Sequence, residues 1–250
     1  RSYRRAVRIH AENRDMRWRH RAALAVALAL TWLGTPSSRA ADAVANLPGV
    51  KLAYVDSGGQ GAPVILVHAL TGTSQSWQNQ IEAFAKAGYR AIAFDRRGWG
   101  KSVADPASGP QPGSVAEDIE ALAAHLKLDK FHLVGIAGGG FAALDYAAWK
   151  PERLRSLVVA ASTGSIDEKE IKDFSKRIQI PGVTWPSIYL EVGPSYLGSN
   201  IEGVAKWKDI EEHARQAGAP SQAQPPHDEV GASTCAMAVP SNRAWTTRCR

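Results

Sequence analysis

The segment "HLVGIAGGGFAALDYA", residues 132–147, decides the fold, because its pattern predicts a strand, a sharp glycine turn and a helix. A turn this tight needs glycine on both sides of its apex, since a Cβ at Gly135 or Gly139 would clash with the backbone. The apex residue, Ala137, is then strained, and its side chain is presented at a helix N-terminus, where N–H groups favour negative charge. A methyl group cannot attack a carbonyl carbon. The turn therefore predicts an anion-favouring site that lacks a nucleophile.

Strands and helices alternate along the chain on both sides of this turn. Residues 63–68 ("PVILVH") form an apolar, β-branched run typical of a strand buried on both faces, and residues 90–95 ("RAIAFD") predict another strand. A helix is predicted after Ser114, which forms a capping-box pattern with Glu117. Because the connections are short, the alternation predicts an α/β fold with a mostly parallel, doubly wound sheet.

The pattern changes after the strand predicted at residues 154–162. Residues 163–216 contain two helical patterns and no evident strand, which predicts a helical insertion over the sheet. Residues 217–250 lack periodicity and are rich in Ala, Ser, Pro and Thr, so we interpret them as disordered or as frameshifted sequence. The expected domain therefore covers residues 41–216, with its core at residues 50–162.

The charge of the chain is concentrated at its N-terminal end. The net charge is +6 over 250 residues, and residues 1–21 account for all of it with eight arginines against two acidic side chains. A basic surface for nucleic acid is therefore not expected on the neutral remainder.

A secretory signal is predicted at residues 16–40, which run from basic through apolar to small side chains. The apolar run is too short for a comfortable bilayer span. We therefore expect a periplasmic or secreted protein with no stable membrane span after signal removal. Residues 1–15 are interpreted as an upstream or disordered basic segment.

Four local motifs occur in a fixed order along residues 50–216. They are "VHALTGTSQSW" from Val67, "DRRGWGKS" from Asp95, "GIAGG" from Gly135 and "PERLRSLVV" from Pro151. The ordered set resembles the α/β-hydrolase family, with a His-Gly loop in which Ala69 replaces the glycine, an Asp-x-Arg-Gly-x-Gly-x-Ser loop and the Gly-x-Ser-x-Gly nucleophile elbow. The resemblance implies that the helical insertion at residues 163–216 is the cap of that family.

The resemblance also implies a site at the elbow. In the family, the N–H group after the nucleophile and one from the His-Gly loop form the oxyanion hole, and these positions correspond to Gly138 and Leu70. The nucleophile position holds Ala137, which is not competent for attack. The family's acid and histidine follow its last two strands, which we do not find here, and the adjacent His227 and Asp228 lie in a Pro-rich run with no scaffold to aim them. We therefore predict that the sheet lacks its last two strands and that the catalytic triad is incomplete.

Other side chains could line an apolar pocket under the cap or share the edge of the sheet with the elbow. The pocket candidates are His68, Trp77, Trp99, Trp185 and Tyr189. Aromatic residues at such spacings also occur in cores, and His68 is expected to organise the loop that it begins. Turn and capping roles are expected for the nearby hydroxyls of Ser102, Thr71, Thr73, Ser74 and Ser76.

No cofactor and no metal is predicted. The "GIAGGG" segment lacks the lysine and hydroxyl of a phosphate loop and does not fit the dinucleotide fingerprint. The histidines show no pair at metal-ligand spacing on one face.

Three functions remain open on the sequence alone. The first is an exported α/β-hydrolase-like protein related to ester, lactone or other acyl hydrolases, with an incomplete triad. The second is a non-catalytic protein that binds a small apolar or acyl ligand, such as a carboxylate or ester, at the elbow. The third is chemistry without a nucleophile in the same pocket.

Overall fold

The structure, a computed structural model, describes residues 40–111, 113–162, 164, 169–178, 184–216, 235–238 and 246–249. The predicted signal, apart from Ala40, and the basic segment before it lie outside the described residues. His227 and Asp228 also lie outside them. Within the described ranges, no helix is long and apolar enough to cross a membrane.

A mixed sheet of nine strands forms the centre of the part that the structure describes. The strands are β1 (Ala41–Leu47), β2 (Val50–Asp56), β3 (Pro63–Val67), β4 (Arg90–Phe94), β5 (Val103–Ala104), β6 (Phe131–Ile136), β7 (Leu154–Ala160), β8 (Cys235–Ala238) and β9 (Thr246–Cys249). Their order is β1-β2-β4-β3-β6-β7-β9-β8, and β5 pairs with β2. The four central strands β4, β3, β6 and β7 are parallel, and the outer pairs are antiparallel. The predicted α/β sheet with a parallel centre is thus confirmed.

Helices pack on both faces of the sheet, and further helices follow β7 in the chain. They are α1 (Gln78–Lys86), α2 (Val115–His125), α3 (Gly138–Trp149), α4 (Lys169–Ile178), α5 (Ser187–Glu191), α6 (Pro194–Ser199) and α7 (Ile201–Ala214), with 3-10 turns at Ser74–Trp77 and Pro151–Arg153. Ser114 caps α2 as predicted, because its Oγ accepts the N–H of Glu117 at 3.2 Å. Helices α4 to α7 all lie within residues 163–216.

The two faces of the sheet bury separate apolar layers. Successive residues of β3 point to opposite faces. Ile65 and Val67 join the layer under α2 and α3, whereas Val64 and Leu66 join the layer under α1. All four side chains are at most 1% exposed, which confirms a strand buried on both faces.

Two short strands occur in the segment that we expected to be aperiodic. Strand β9 pairs antiparallel with β7 through Leu157 with Thr247 and Val158 with Thr246, and β8 pairs with β9. The structure therefore describes these eight residues as strands and not as disordered chain, whereas the frameshift interpretation of residues 217–250 stays a prediction. The edge of β7 offers backbone N–H and C=O groups with which a further strand can pair. This antiparallel hairpin does not continue the parallel sheet.

Strand β1 is a second element that the sequence did not predict. Its sequence, "ADAVANL", is rich in alanine, and only Ala45 and Leu47 are buried. The strand pairs with β2 along all seven of its residues. Tertiary pairing therefore forms this strand where its local pattern is weak.

Candidate functional site

The turn between β6 and α3 has the geometry of a strained elbow. Ala137 has φ 47° and ψ −116°, a combination outside the regions that non-glycine residues ordinarily adopt. Its N–H donates to the carbonyl oxygen of Ala160 at 2.9 Å, and its own carbonyl accepts the N–H of Gly140 at 2.9 Å. These two hydrogen bonds hold a half-buried methyl group at the N-terminus of α3.

The glycines on either side of the apex are required by close backbone contacts. A Cβ at Gly135 would lie 2.5 Å from the carbonyl oxygen of Gly139. A Cβ at Gly139 would lie 2.3 Å from the carbonyl oxygen of Val67, at the end of β3. Both distances are too short for real Cβ atoms, so the steric explanation made from the sequence is confirmed.

The two residues predicted to form an oxyanion hole are neighbours. A Cβ at Gly138 would lie 2.6 Å from Cγ of Leu70, so the two loops touch at this point. Gly138 is the first residue of α3, where a backbone N–H has no partner within the helix. Leu70 is 52% exposed, so solvent reaches this place. The two positions predicted to form an oxyanion hole thus lie next to each other, and the hole itself stays a prediction.

His68 is committed to the loops around the site. Its side chain is 0% exposed. Nε2 accepts the N–H of Arg96 at 3.0 Å, so the proton of the neutral ring is on Nδ1, which donates to the carbonyl oxygen of Ala69 at 2.6 Å. Burial, together with the Arg96 charge, lowers the pKa of His68 to about 3. The imidazole is therefore neutral, and both of its nitrogens hold the backbone rather than a ligand.

Trp99 links the loop after β3, which contains Leu70 and which we call the oxyanion loop after its predicted role, to the end of α7. The side chain is 2% exposed, and its Nε1 donates to the carbonyl oxygen of Leu70 at 2.6 Å. The guanidinium carbons of Arg96 and Arg215 each lie 4.9 Å from the centre of the ring. Burial and the charge of Arg215 lower the pKa of Arg96 to about 10, so Arg96 stays protonated at neutral pH. The ring therefore packs against two cations beside the elbow.

Asp95 is a buried residue of the site whose role the sequence did not reveal. Its Oδ1 accepts the N–H of Ser74 at 2.7 Å, and its Oδ2 accepts the N–H of Lys101 at 2.8 Å. The available signal was an aspartate placed directly after a buried strand. Asp95 thus joins the loop after β3 to the loop after β4.

Two hydroxyls at this edge of the sheet hold the backbone through hydrogen bonds. The predicted turn and capping roles are thus confirmed for Ser102 and Thr73. Oγ of Ser102 donates to the carbonyl oxygen of Asp95 at 2.6 Å and accepts the N–H of Ala53 at 2.9 Å. Oγ1 of Thr73 accepts the N–H of Gln75 at 3.2 Å at the start of the 3-10 turn.

The predicted pocket aromatics do not form one cluster. Trp77 is 8% exposed and packs with Val64 and Leu66 in the apolar layer under α1. Trp185 and Tyr189 are 50% and 64% exposed on the segment around α5. Of the five candidates, the structure brings His68 and Trp99 together, with ring centres 6.4 Å apart.

Side-chain contacts also join the helical segment to the loop after β3 and to α1. The hydroxyl of Thr71 donates to the Glu191 carboxylate at the end of α5. The amine of Lys206, on α7, donates to Oε1 of Gln78 at 3.1 Å. A cavity of about 500 Å³ lies between α5 and α7, away from the elbow, and is lined by Pro186, Ser187, Ile188, Trp207, Lys208, Glu211 and Glu212.

No group of three or more potential metal ligands occurs among the residues that the structure describes. The described histidines other than His68 lie on α2, β6 and α7. His132 bonds Ser156 at 2.8 Å, and His213 bonds the carbonyl oxygen of Asp209 at 2.8 Å. Neither interaction joins the elbow.

Known proteins show the same fold pattern over the centre of the chain. A family profile described as the alpha/beta hydrolase fold matches residues 62–180. RutD of Variovorax paradoxus, named as a carbamate hydrolase, is 32% identical over 137 residues, which cover 55% of this chain and 52% of RutD. A 2-hydroxy-6-oxononadienedioate/2-hydroxy-6-oxononatrienedioate hydrolase of Paraburkholderia phymatum is 33% identical over 113 residues, covering 44% of this chain and 39% of that enzyme.

A solved structure with a similar arrangement is a laboratory-evolved variant of potato epoxide hydrolase. It superposes with a TM-score of 0.48 at 22% sequence identity, over 57% of this chain and 50% of the other. The chain spans about half the length, or less, of the curated relatives that it matches.

Proposed function

Because the chain belongs to the α/β-hydrolase fold family, we propose that it is an exported hydrolase-like protein related to ester and lactone hydrolases that lacks serine-type catalysis at its elbow. The observation that carries this proposal is the strained apex at φ 47°, which is occupied by the methyl group of Ala137. An apex of this kind presents a nucleophile in the family. The signal pattern in residues 16–40 supports export to the periplasm or the exterior.

The chemistry left at the elbow is carbonyl polarisation. A small acyl compound could place its carbonyl oxygen between the backbone of Leu70 and that of Gly138, where one good donor contributes about 3 kcal/mol to a charged transition state. A neutral ester gains less, because its carbonyl oxygen carries only a partial charge. The ligand that fits is therefore small and apolar or of the acyl type, and no nucleic acid or metal takes part in the proposal.

The first test restores the hydroxyl by Ala137→Ser. At alkaline pH we expect the introduced hydroxyl to lose its proton to hydroxide and to attack p-nitrophenyl acetate, so that the acetyl group is transferred to position 137 and p-nitrophenolate leaves in an initial burst. The burst should be about a hundredfold faster than acetylation of an ordinary exposed serine, the effect of a working oxyanion hole. Peptide mass spectrometry should locate one acetyl group at position 137. Turnover should stay slow, because both ring nitrogens of His68, in the loop after β3, are bound to backbone groups and neither is free to act as a base.

Ala161→Ser is the matched control, because Ala161 also has a positive φ, 50°, and follows the neighbouring strand β7. Equal acetylation of the two variants would refute the assignment of Ala137 as a vacated nucleophile position.

Export is tested separately. Mass spectrometry of the protein secreted by a bacterial host should show cleavage after Ala40, and an intact N-terminus would contradict the predicted signal.

A second candidate function is binding without turnover, which is favoured by the contact between Leu70 and Gly138. Gly138→Val would push a side chain into Leu70, since even a Cβ would lie 2.6 Å from its Cγ. We expect the parent to bind short-chain esters or carboxylates, measured by ligand-detected NMR, and the variant to bind at least tenfold more weakly. Unchanged affinity would remove the elbow from the binding site.

A further inference from the structure

We propose that Trp99 is a positioning residue, which fixes the backbone of Leu70 at the oxyanion site through its indole N–H. The inference rests on the proposed function of the elbow, because it assigns a role to the loop that supplies one of the two N–H groups. Trp99 acts through the loop, because its indole N–H donates to the carbonyl oxygen of Leu70.

The hydrogen bond from Trp99 to Leu70 is short and shielded. Nε1 lies 2.6 Å from the carbonyl oxygen of Leu70, and the indole is 2% exposed. A buried N–H without an acceptor is costly, so the indole strongly favours the loop conformation that brings this carbonyl to it.

Leu70 is held from both sides by fixed peptide groups. The carbonyl oxygen of Ala69 accepts Nδ1–H of His68 at 2.6 Å and the N–H of Gly72 at 3.1 Å. Because a peptide unit is planar, fixing the Ala69 carbonyl also fixes the direction of the Leu70 N–H. Trp99 fixes the following peptide, so the two bonded carbonyls together determine both backbone angles of Leu70.

Trp99 is in turn anchored by the C-terminal end of α7. The N–H of Gly100 donates to the carbonyl oxygen of Ala214 at 2.8 Å, and the N–H of Gln216 donates to the carbonyl oxygen of Gly98 at 2.9 Å. The guanidinium of Arg215 lies over the ring at 4.9 Å, which adds a cation–π attraction. The end of α7 and the oxyanion loop are therefore coupled through one side chain.

The direct test is Trp99→Phe in the protein without ligand. Phenylalanine keeps an aromatic face for the cations and removes the N–H donor. We expect amide hydrogen exchange of Gly72, whose N–H closes the loop onto Ala69, to accelerate at least tenfold, while the amides within α3 keep their protection.

Trp77→Phe is the matched control. Within the described part of the chain, Nε1 of Trp77 is buried and has no hydrogen-bond partner. Trp77→Phe therefore removes an indole N–H from the same region without breaking a hydrogen bond. If both variants changed Gly72 exchange equally, or if neither did, the positioning role of Trp99 would be wrong.

A second readout uses the Ala137→Ser background. Adding Trp99→Phe should lower the rate of the acetylation burst about tenfold while the half-saturating ester concentration changes less than twofold, because the loop acts on the charged transition state. A burst that is unchanged by Trp99→Phe would overturn the inference while leaving the proposed function intact. Absence of any burst in the background variant would instead refute the proposed function, and Gly72 exchange would still decide the role of Trp99.

Discussion

Replacing the elbow residue by glycine should make the protein more stable. The backbone of Ala137, at φ 47° and ψ −116°, lies in a region that glycine alone adopts without strain. Such strain lowers the free energy of unfolding by about 1–3 kcal/mol. Ala137→Gly removes the strain and gives up about 0.5–1 kcal/mol through the greater freedom of glycine in the unfolded chain. The lost methyl is only half-buried, so its burial term is small. We therefore expect a net gain of about 1 kcal/mol.

The assay is reversible unfolding followed by circular dichroism in urea and on heating. A gain of about 1 kcal/mol corresponds to a Tm increase of about 2–4 °C for a domain of this size. Ala142→Gly serves as the control, because Ala142 lies in the interior of the helix that follows Ala137 and is 8% exposed. That variant should lose about 1–2 kcal/mol. If Ala137→Gly were destabilised as much as Ala142→Gly, the elbow would not be strained and its description as a nucleophile turn would fail.

Two further predictions concern the loops around the elbow. Between about pH 6.5 and 4.5 the contribution of His68 to the free energy of unfolding should fall by about 2 kcal/mol, because unfolded His68 takes up a proton below its ordinary pKa of 6.5 and the folded state does not take it up until about pH 3. This slope should disappear in His68→Gln, and an identical slope in both proteins, measured by urea unfolding, would contradict the burial of a neutral imidazole. Gly139→Ala should cost about 3 kcal/mol, because its Cβ would lie 2.3 Å from the backbone of Val67, whereas Gly193→Ala, which meets nothing within 4 Å, should unfold like the parent.

The sequence predicted the features that depend on neighbouring residues. Gly135 and Gly139 flank the apex within one turn of chain, so their spacing alone carried the steric argument. Ser114 and Glu117 form a local cap in the same way. Patterns of this length need no knowledge of the rest of the fold.

Features that depend on distant contacts were missed. The carboxylate of Asp95 binds the backbone of Ser74, 21 residues away, and the backbone of Trp99 pairs with that of Arg215 from the far end of the described domain. Strand β9 exists because it reaches the edge of β7, and not because its sequence is a strong strand signal. The pocket assignment of Trp185 and Tyr189 also required distances that composition cannot supply, and the structure leaves both side chains exposed.

The short pairing between β7 and β9 affects how much water reaches the elbow. Only Leu157 and Val158 of this strand pair with β9 in the described structure, and Ala160, whose carbonyl holds Ala137, is exposed. Water can therefore approach the apex from the side of the sheet as well as from above. A carbonyl bound there would stay partly hydrated, and the higher local dielectric weakens each N–H···O interaction. The site is expected to bind acyl compounds weakly and release them fast, and covering this flank would be the direct way to strengthen it.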